Sequence, residues 1–233
     1  MPDVKISSLE GSEFNAYFAE PSTGRGPGLI VISDCFGVNA AMRKLCDGYA
    51  AQGYLAVCPD IFWRQQPNVQ LTDQTSEEVA RAFELSKGLD IEATVRDLLA
   101  TLGHIRKMGG CNGKVGAMGF GLGGRLAYLM ATRSDVDASV SYYPTDLNKN
   151  LDEYHDIRMP LLLHFAALDE RMPVDKCIKI LHSLARNPVI MARVYEKVGH
   201  AFAFEGGKNY NAEISALAET RTKDFLAERL IIN

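Results

Sequence analysis

Short runs of consecutive apolar residues recur along the chain, separated by longer segments whose apolar positions follow a helical spacing. Runs of this kind, rich in β-branched residues and bounded by glycine or polar residues, predict strands that are buried on both faces of a parallel sheet. Residues 13–18 have only a short amphipathic pattern. The predicted strands span residues 28–33, 54–58, 114–118, 138–142, 161–165 and 189–195.

Helical spacing fills most of the segments between these runs. Glycine at a helix end favours termination, and Gly53 closes the first of the helical segments. The alternation of strands with helices predicts an α/β fold with a mostly parallel central sheet and helices on both faces. The predicted helices span residues 39–52, 77–87, 91–108, 125–131, 174–185 and 211–229.

The loops that follow the strands are the expected position of a functional site, because α/β sheets bind ligands at the carboxyl ends of their strands. One of these loops, residues 60–75, is long and polar and contains the only tryptophan, Trp63. Long loops of this kind are often functional. The segments directly after predicted strands are residues 33–39, 60–64, 119–124 and 169–171, together with His200.

Composition narrows the class of protein. The 233 residues are 47% hydrophobic and 23% charged, which fits one globular domain over residues 1–233. The net charge is −4 and the basic residues are dispersed, so we expect no nucleic-acid partner. No apolar run is long enough for a bilayer, and residues 1–10 lack a signal-peptide core. The five cysteines are odd in number and form no CxxC pair. We therefore expect a cytoplasmic protein, monomeric or weakly dimeric, with neither a membrane partner nor a metal.

A glycine-rich turn at residues 119–124 lies between a predicted strand and a predicted helix. It satisfies the GxGxxG pattern of dinucleotide sites. However, the turn lies in the middle of the chain, and no acidic residue ends the next strand as that site requires. We therefore expect no cofactor. The same turn matches a nucleophile elbow, whose central residue here is Gly121. Glycine tolerates the strained elbow backbone but has no side chain that could attack a substrate.

Asp169 and His200 each follow a late predicted strand, in the order acid then histidine that hydrolases with an elbow use. A lone aspartate after a strand is often a helix cap, and a lone histidine is often a satisfied polar residue. Their occurrence in this order favours a catalytic pair, in which a carboxylate orients an imidazole. His164 lies inside an apolar run and is more simply interpreted as a core residue.

Several motifs together resemble the dienelactone hydrolase family of the α/β-hydrolase superfamily. The resemblance extends over nearly the whole chain and joins motifs of different chemistry in one order. The motifs are Asp34-Cys35-Phe36-Gly37-Val38-Asn39, Val57-Cys58-Pro59-Asp60, Gly113-Lys114-Val115-Gly116 with the turn at 119–124, Asp169 with Pro173, and Gly199-His200-Ala201-Phe202.

The resemblance implies a fold and a set of site residues. In that family a cysteine at the elbow attacks an ester or enol-lactone carbonyl, and an aspartate and a histidine complete the triad; the matching positions are Gly121, Asp169 and His200. Asp34 matches a carboxylate, commonly glutamate, that contacts the resting thiol. The backbone N–H groups of Cys35 and Leu122 match the oxyanion hole.

The resemblance also indicates a substrate pocket, with one departure. Phe204 stands where a family member uses arginine to hold a substrate carboxylate, so the resemblance does not extend to that contact with the usual dienelactone substrate. Arg64 and Arg81 are the candidates to replace that arginine. The expected ligand is a small ester, lactone or carboxylate. The residues that we expect to line the pocket are Phe36, Trp63, Arg64, Tyr143 and Phe204.

Because Gly121 cannot attack, three hypotheses remain. In the first, Cys35 is a substitute nucleophile, although the adjacent Asp34 disfavours its thiolate. In the second, His200 and Asp169 activate water while the N–H groups of Cys35 and Leu122 bind the oxyanion. In the third, the chain is a catalytically silent homologue that binds a small ester, lactone or carboxylate.

Overall fold

The computed structural model describes residues 3–231, and every predicted strand and helix is present. Within that range, none of the helices has both the length and the apolar character needed to cross a bilayer. The strands are β1 (Asp3–Ser7), β2 (Glu13–Ala19), β3 (Gly26–Ile32), β4 (Leu55–Pro59), β5 (Cys111–Phe120), β6 (Ala138–Tyr142), β7 (Leu161–Ala166) and β8 (Ile190–Tyr195). The helices are α1 (Ala40–Ala50), α2 (Ser76–Lys87), α3 (Ile91–Lys107), α4 (Leu122–Arg133), α5 (Val174–Leu184) and α6 (Ala212–Leu230).

The strands form one sheet in the order β1-β2-β4-β3-β5-β6-β7-β8. Strands β3 to β8 are parallel to their neighbours, whereas β1 and β2 form an antiparallel hairpin at one edge and β2 runs antiparallel to β4. The mostly parallel sheet of the sequence prediction is therefore confirmed. Strand β1 was not predicted, and residues 13–18 form most of its partner β2.

Helices cover both faces of the sheet, as predicted. Helices α1 and α6 bury Met42, Cys46 and Phe225 in a core on one face. Helices α2 to α5 bury their apolar side chains against the other face, where Leu98 and Leu126 are fully buried. The sheet thus separates two hydrophobic cores, and each is contributed by side chains that alternate along the same strands.

Helix α4 begins at Leu122, three residues earlier than the predicted start at 125. Its first turn includes Gly123 and Gly124, which pack directly against backbone. A Cβ at Gly123 would lie 2.3 Å from the carbonyl oxygen of Ile32, and a Cβ at Gly124 would lie 2.5 Å from that of Tyr142. These glycines therefore allow the helix to start close against the ends of β3 and β6.

His164 is a satisfied core residue, as predicted. Its side chain is fully buried in β7, and its ring nitrogens contact the Tyr195 hydroxyl at 2.8 Å and the Thr222 hydroxyl at 2.9 Å. Thr222 lies on α6 and also contacts the Tyr142 hydroxyl at 2.6 Å. Burial, assisted by the charge of Arg221, lowers the pKa of His164 to about 3, so this imidazole is neutral.

Candidate active site

The backbone at Gly121 has the shape of an elbow between β5 and α4. Gly121 has φ +52° and ψ −110°, in the region that side chains rarely adopt. The turn is fixed on both sides: the Gly121 N–H donates to the Tyr142 carbonyl at 3.0 Å, and the Gly121 carbonyl accepts from Thr145 N–H at 3.1 Å. Nearby Gly119 has no room for a Cβ, which would lie 2.0 Å from the Gly123 carbonyl oxygen. The structure therefore presents the Cα of Gly121 on a rigid, sharp turn.

Asp169 and His200, which follow β7 and β8, form a buried pair. His200 Nδ1 lies 2.8 Å from Asp169 Oδ2, and the side chains are 10% and 3% exposed, respectively. The second oxygen, Asp169 Oδ1, accepts the backbone N–H of Arg171 at 2.8 Å, so the carboxylate is held from both sides. A carboxylate on Nδ1 favours the tautomer with the proton there and a lone pair on Nε2. Among the described residues His200 Nε2 has no hydrogen-bond partner and is buried.

The Asp34 carboxylate occupies the space above Gly121. Its Oδ1 atom accepts two backbone N–H groups, from Cys35 at 2.7 Å and from Leu122 at 3.0 Å. A Cβ on Gly121 would lie 2.4 to 2.5 Å from all three atoms of the carboxylate. The two N–H groups that the sequence indicated as oxyanion donors therefore converge on one point, and that point is filled by a carboxylate oxygen of the protein itself.

Cys35 lies beside this carboxylate and is 3% exposed. Burial raises the pKa of its thiol strongly, and the negative charge of Asp34 raises it further. Both effects disfavour the thiolate, which is the nucleophilic form of cysteine. The environment of Cys35 therefore supports a small packed residue with a useful backbone N–H.

Aromatic rings surround the pair and the elbow. Tyr143 packs edge-on against His200 with 5.1 Å between ring centroids, and against Phe202 at 5.4 Å. Tyr143 is 2% exposed, has a positive φ of 34°, and its hydroxyl has no partner among the described residues. Phe36, in the loop after Asp34, stacks on Phe204 at 5.8 Å. Three of the expected pocket residues thus lie on loops that follow strands: Phe36 follows β3 with Asp34, Tyr143 follows β6, and Phe204 follows β8 with His200.

A family model gives the evolutionary context of this geometry. The model of the dienelactone hydrolase family matches residues 14–230 of the chain. The chain belongs to the dienelactone hydrolase family. It is 37% identical to a carboxymethylenebutenolidase of Pseudomonas putida over 96% of this chain and 95% of that one. It is 44% identical to a protein of Azospirillum brasilense, provisionally named a carboxymethylenebutenolidase, over 99% of this chain and 100% of the relative.

A solved structure agrees with this assignment. The crystal structure of a provisionally assigned dienelactone hydrolase from Klebsiella pneumoniae superimposes on this chain with a TM-score of 0.86 at 26% sequence identity. The match covers 97% of this chain and 98% of that one. The α/β-hydrolase fold implied by the sequence motifs is thereby confirmed, and the chain is a dienelactone hydrolase homologue along nearly its whole length.

Two residues of this family member that we expected in the pocket are engaged elsewhere. Trp63 stacks on Phe14 at 5.5 Å and donates its indole N–H to Asp97 on α3 at 2.8 Å. Arg64 pairs with the same carboxylate at 2.9 Å and with Glu10 at 3.1 Å. Because these polar atoms are already satisfied, the placement of Trp63 and Arg64 in the pocket is corrected: they brace the loop after β4 against α3.

The two arginines that we considered as replacements for the family's substrate-binding arginine are also paired with other residues. Arg64 is held by Asp97 and Glu10. Arg81 pairs with Glu84 and contacts Gln66 through its guanidinium. Arg171 is not among the predicted pocket residues. Among the described residues no carboxylate pairs with Arg171, and its guanidinium lies over the Phe83 ring, 4.7 Å from the centroid. Its positive charge acts on the Cys35 thiol and opposes the rise in that pKa. Its position two residues after Asp169 is the signal that could have identified it.

Phe204 also lines a separate cavity of about 250 Å³ between α1 and α6. The sheet residues Met118, Phe120 and Tyr142 also line this cavity. Lys44 and Glu205, which form an ion pair, belong to the lining as well. Asp34, Gly121 and His200 are not part of its lining. Phe204 therefore stands between this cavity and the aromatic wall formed with Phe36.

Proposed function

We propose that this dienelactone hydrolase homologue hydrolyses small carboxylic esters or lactones by general-base catalysis on water, without an elbow nucleophile. The observation that supports the proposal is His200 Nε2, which is buried, has no partner among the described residues, and belongs to an imidazole oriented by Asp169 at 2.8 Å. A base in this state can accept a proton from water.

The proposed reaction begins when the substrate carbonyl oxygen replaces Asp34 Oδ1 between the N–H groups of Cys35 and Leu122. His200 removes a proton from water as its oxygen attacks the carbonyl carbon. The two N–H groups stabilise the resulting oxyanion. The intermediate collapses when His200 returns the proton to the leaving oxygen. The products are an alcohol and a carboxylic acid, or a hydroxy acid from a lactone, and the acid then loses its proton to solvent.

Gly121 has a defined part in this proposal. Without a side chain at the elbow, a water molecule can stand near the position from which a family cysteine would attack, once Asp34 has moved aside. Asp34 then acts as a competitor of the substrate, because its carboxylate and the substrate carbonyl use the same two donors. Cys35 is not needed as a nucleophile, and its raised pKa argues against that role.

The alternative function is binding without turnover. One observation favours it: the oxyanion position is filled by Asp34 at 2.7 Å and 3.0 Å from its donors. If the carboxylate does not leave, an ester carbonyl cannot be polarised there. The chain would then bind small carboxylates, esters or lactones through the remaining pocket surfaces.

Hydrolysis of p-nitrophenyl acetate and of a small lactone by three variants distinguishes the two functions. We expect His200→Ala to reduce kcat/KM by about 10²- to 10⁴-fold, the usual contribution of a general base. The matched control is His182→Ala, an exposed histidine on α5, which should retain full activity. Asp34→Ala should raise the rate because it empties the oxyanion position. Equal rates in wild type, His200→Ala and buffer would refute the hydrolase and leave the binding function.

A further inference from the structure

The Asp34 carboxylate is placed like the acyl group of an ester intermediate. In acyl transfer the carbonyl oxygen of the acyl group sits between two N–H donors, and water attacks its carbon. Asp34 Oδ1 already sits between such donors, at 2.7 Å from Cys35 N and 3.0 Å from Leu122 N. The carboxylate also lies where the side chain of an elbow nucleophile would begin, because Gly121 leaves that space empty. An ester formed on the other oxygen, Oδ2, would thus be held as a substrate for hydrolysis.

We propose that Asp34 is a nucleophile toward activated saturated carbon, and that the protein converts small 2-haloalkanoates to 2-hydroxyalkanoates. Carboxylates form covalent intermediates in this way in other enzyme classes. The inference goes beyond ester hydrolysis and shares with it the base formed by His200 and Asp169 and the two N–H donors of Cys35 and Leu122. A saturated carbon is the suitable target because it needs no oxyanion hole in the first step, and Asp34 Oδ1 keeps its two donors throughout.

The reaction is balanced in two steps. In the first, Asp34 Oδ2 forms a bond to the carbon that bears the halogen, and the carbon–halogen bond breaks with both electrons leaving on the halide. In the second, His200 takes a proton from water, and the water oxygen bonds to the Asp34 carboxyl carbon. The negative charge then develops on Oδ1 between its two donors. Collapse breaks the bond from the Asp34 carbon to Oδ2, which leaves with the alkyl group and takes the proton from His200. Water and haloalkanoate give hydroxyalkanoate, halide and a proton.

The charges around the site support a halide leaving group and a carboxylate on the substrate. A halide departs without needing a proton, so no general acid is required in the first step. Within the described part of the chain, the groups without a partner at the site are the base His200 and the hydroxyl of Tyr143, which keeps its proton. Burial raises the pKa of Tyr143, and the charge of Asp34 raises it further. Its buried hydroxyl, without a partner among the described residues, is available as a donor to the departing halide. Arg171 is fixed beside the pair by its backbone N–H, which donates to Asp169 Oδ1 at 2.8 Å, and its guanidinium lies over the Phe83 ring, 4.7 Å from the centroid. The guanidinium charge can bind the substrate carboxylate.

Chloroacetate is the probe, and its product is glycolate. With enzyme in excess over chloroacetate in oxygen-18-labelled water, we expect unlabelled glycolate, because its new oxygen comes from Asp34. The label should enter the tryptic peptide of residues 26–43, in which Asp34 is the only acidic residue. Labelled glycolate with an unlabelled peptide would show direct attack by water and would overturn the proposal. So would the absence of any glycolate.

Trapping the intermediate provides a second test. In Cys35→Ala/His200→Ala the first step should proceed and the second should fail, so peptide 26–43 should acquire a carboxymethyl ester on Asp34. The Cys35→Ala background removes thiol alkylation in the same peptide. Asp34→Asn and Asp34→Ala should abolish glycolate formation, and Asp34→Asn preserves the shape of the site if Asp34→Ala does not fold. A peptide that stays unmodified would contradict the proposal.

The two proposed activities respond oppositely to one change. Asp34→Ala should lower chloroacetate turnover to background while it raises hydrolysis of p-nitrophenyl acetate. If ester hydrolysis is absent but the oxygen-18 label enters Asp34, only the ester hydrolase proposal fails. If esters are hydrolysed with His200 and chloroacetate is not converted, only the haloalkanoate proposal fails. Arg171→Gln should raise KM for chloroacetate several-fold with little change in kcat. If Arg171 had only a structural role, the substitution would not raise KM selectively.

Discussion

The Asp34 carboxylate lies over Gly121, so close that a Cβ on that glycine would be 2.4 to 2.5 Å from the carboxylate atoms. The identities of the two residues therefore depend on each other: this position of Asp34 requires glycine at the elbow, and any side chain there requires Asp34 to move. A family nucleophile and this arrangement of Asp34 exclude one another. This relationship determines what substitutions in the site should do.

Gly121→Cys should create a thiol nucleophile, but only if the Asp34 carboxylate moves away from the space that the new side chain needs. We expect hydrolysis of p-nitrophenyl acetate through an acyl-enzyme, and a still higher rate in Gly121→Cys/Asp34→Ala, where the oxyanion donors are free. A non-glycine residue at φ +52° costs on the order of 1 to 3 kcal/mol, so the melting temperature should fall. At about 2 to 4 °C per kcal/mol for a domain of this size, the decrease is measurable by calorimetry.

The control for that experiment removes the base. Gly121→Cys/His200→Ala should return to background, because the thiol then has no partner that accepts its proton. Folded Gly121→Cys that gives no acyl-enzyme by mass spectrometry would mean that His200 and Asp169 do not act on an atom at the elbow.

Cys35→Ala should leave hydrolysis of p-nitrophenyl acetate within a few-fold of wild type. The backbone N–H at this position remains in the variant, and the raised pKa of the thiol makes it a poor nucleophile. Iodoacetamide should label Cys111 and Cys177, which are partly exposed, before the buried Cys35. Complete loss of turnover in folded Cys35→Ala would instead assign the attack to this thiol.

Nicotinamide nucleotides should not bind specifically. Although the turn satisfies GxGxxG, Gly121 forms the elbow, and Leu122 N–H donates to Asp34 at 3.0 Å. The negative charge of Asp34 at the start of α4 opposes the approach of a pyrophosphate. Isothermal titration with NAD and NADP should give no saturable heat, and competed nucleotide binding would contradict the hydrolase assignment.

His164 should make the protein less stable in acid. Its pKa is about 6.5 in the unfolded chain and about 3 in the folded protein. Between these values the unfolded state binds the additional proton, so the contribution is complete above pH 6.5 and is lost as the pH falls toward 3. The loss is at most about 1.4 kcal/mol per pH unit. Urea midpoints at about pH 7 and about pH 4.5 should differ less in His164→Gln than in wild type. An identical difference in both proteins would assign the acid sensitivity to other groups.

The sequence predicted most of the fold because buried parallel strands are marked by continuous apolar runs. Strand β1 lacks that mark: it has five residues, Asp3, Lys5 and Ser7 are exposed, and only Ile6 is fully buried. It is held by pairing with β2 at the sheet edge, which is a long-range effect that a short window does not show.

The sequence was sufficient to select the main residues of the candidate site, but it did not show which atoms these residues contact. Asp34, Gly121, Asp169 and His200 follow strands whose ends the topology places along one edge of the sheet. The partners of Trp63 and Arg64 could not be predicted, because Asp97 lies more than thirty residues further along the chain, on α3. The occupation of the oxyanion position depends on the absence of a Cβ at Gly121, which leaves room for the Asp34 carboxylate, and that contact joins residues far apart in the sequence.

Thr222 has a consequence for how the protein is made. It comes late in the chain, on α6, yet it completes the hydrogen bonding of His164 on β7 and of Tyr142 on β6, both of which the ribosome releases much earlier. Until α6 emerges, these polar groups have water as their partner, and the apolar face that α6 will cover is open. The nascent sheet therefore keeps apolar surface exposed until late in synthesis, and resistance to proteases should arise only when the segment that contains Thr222 docks.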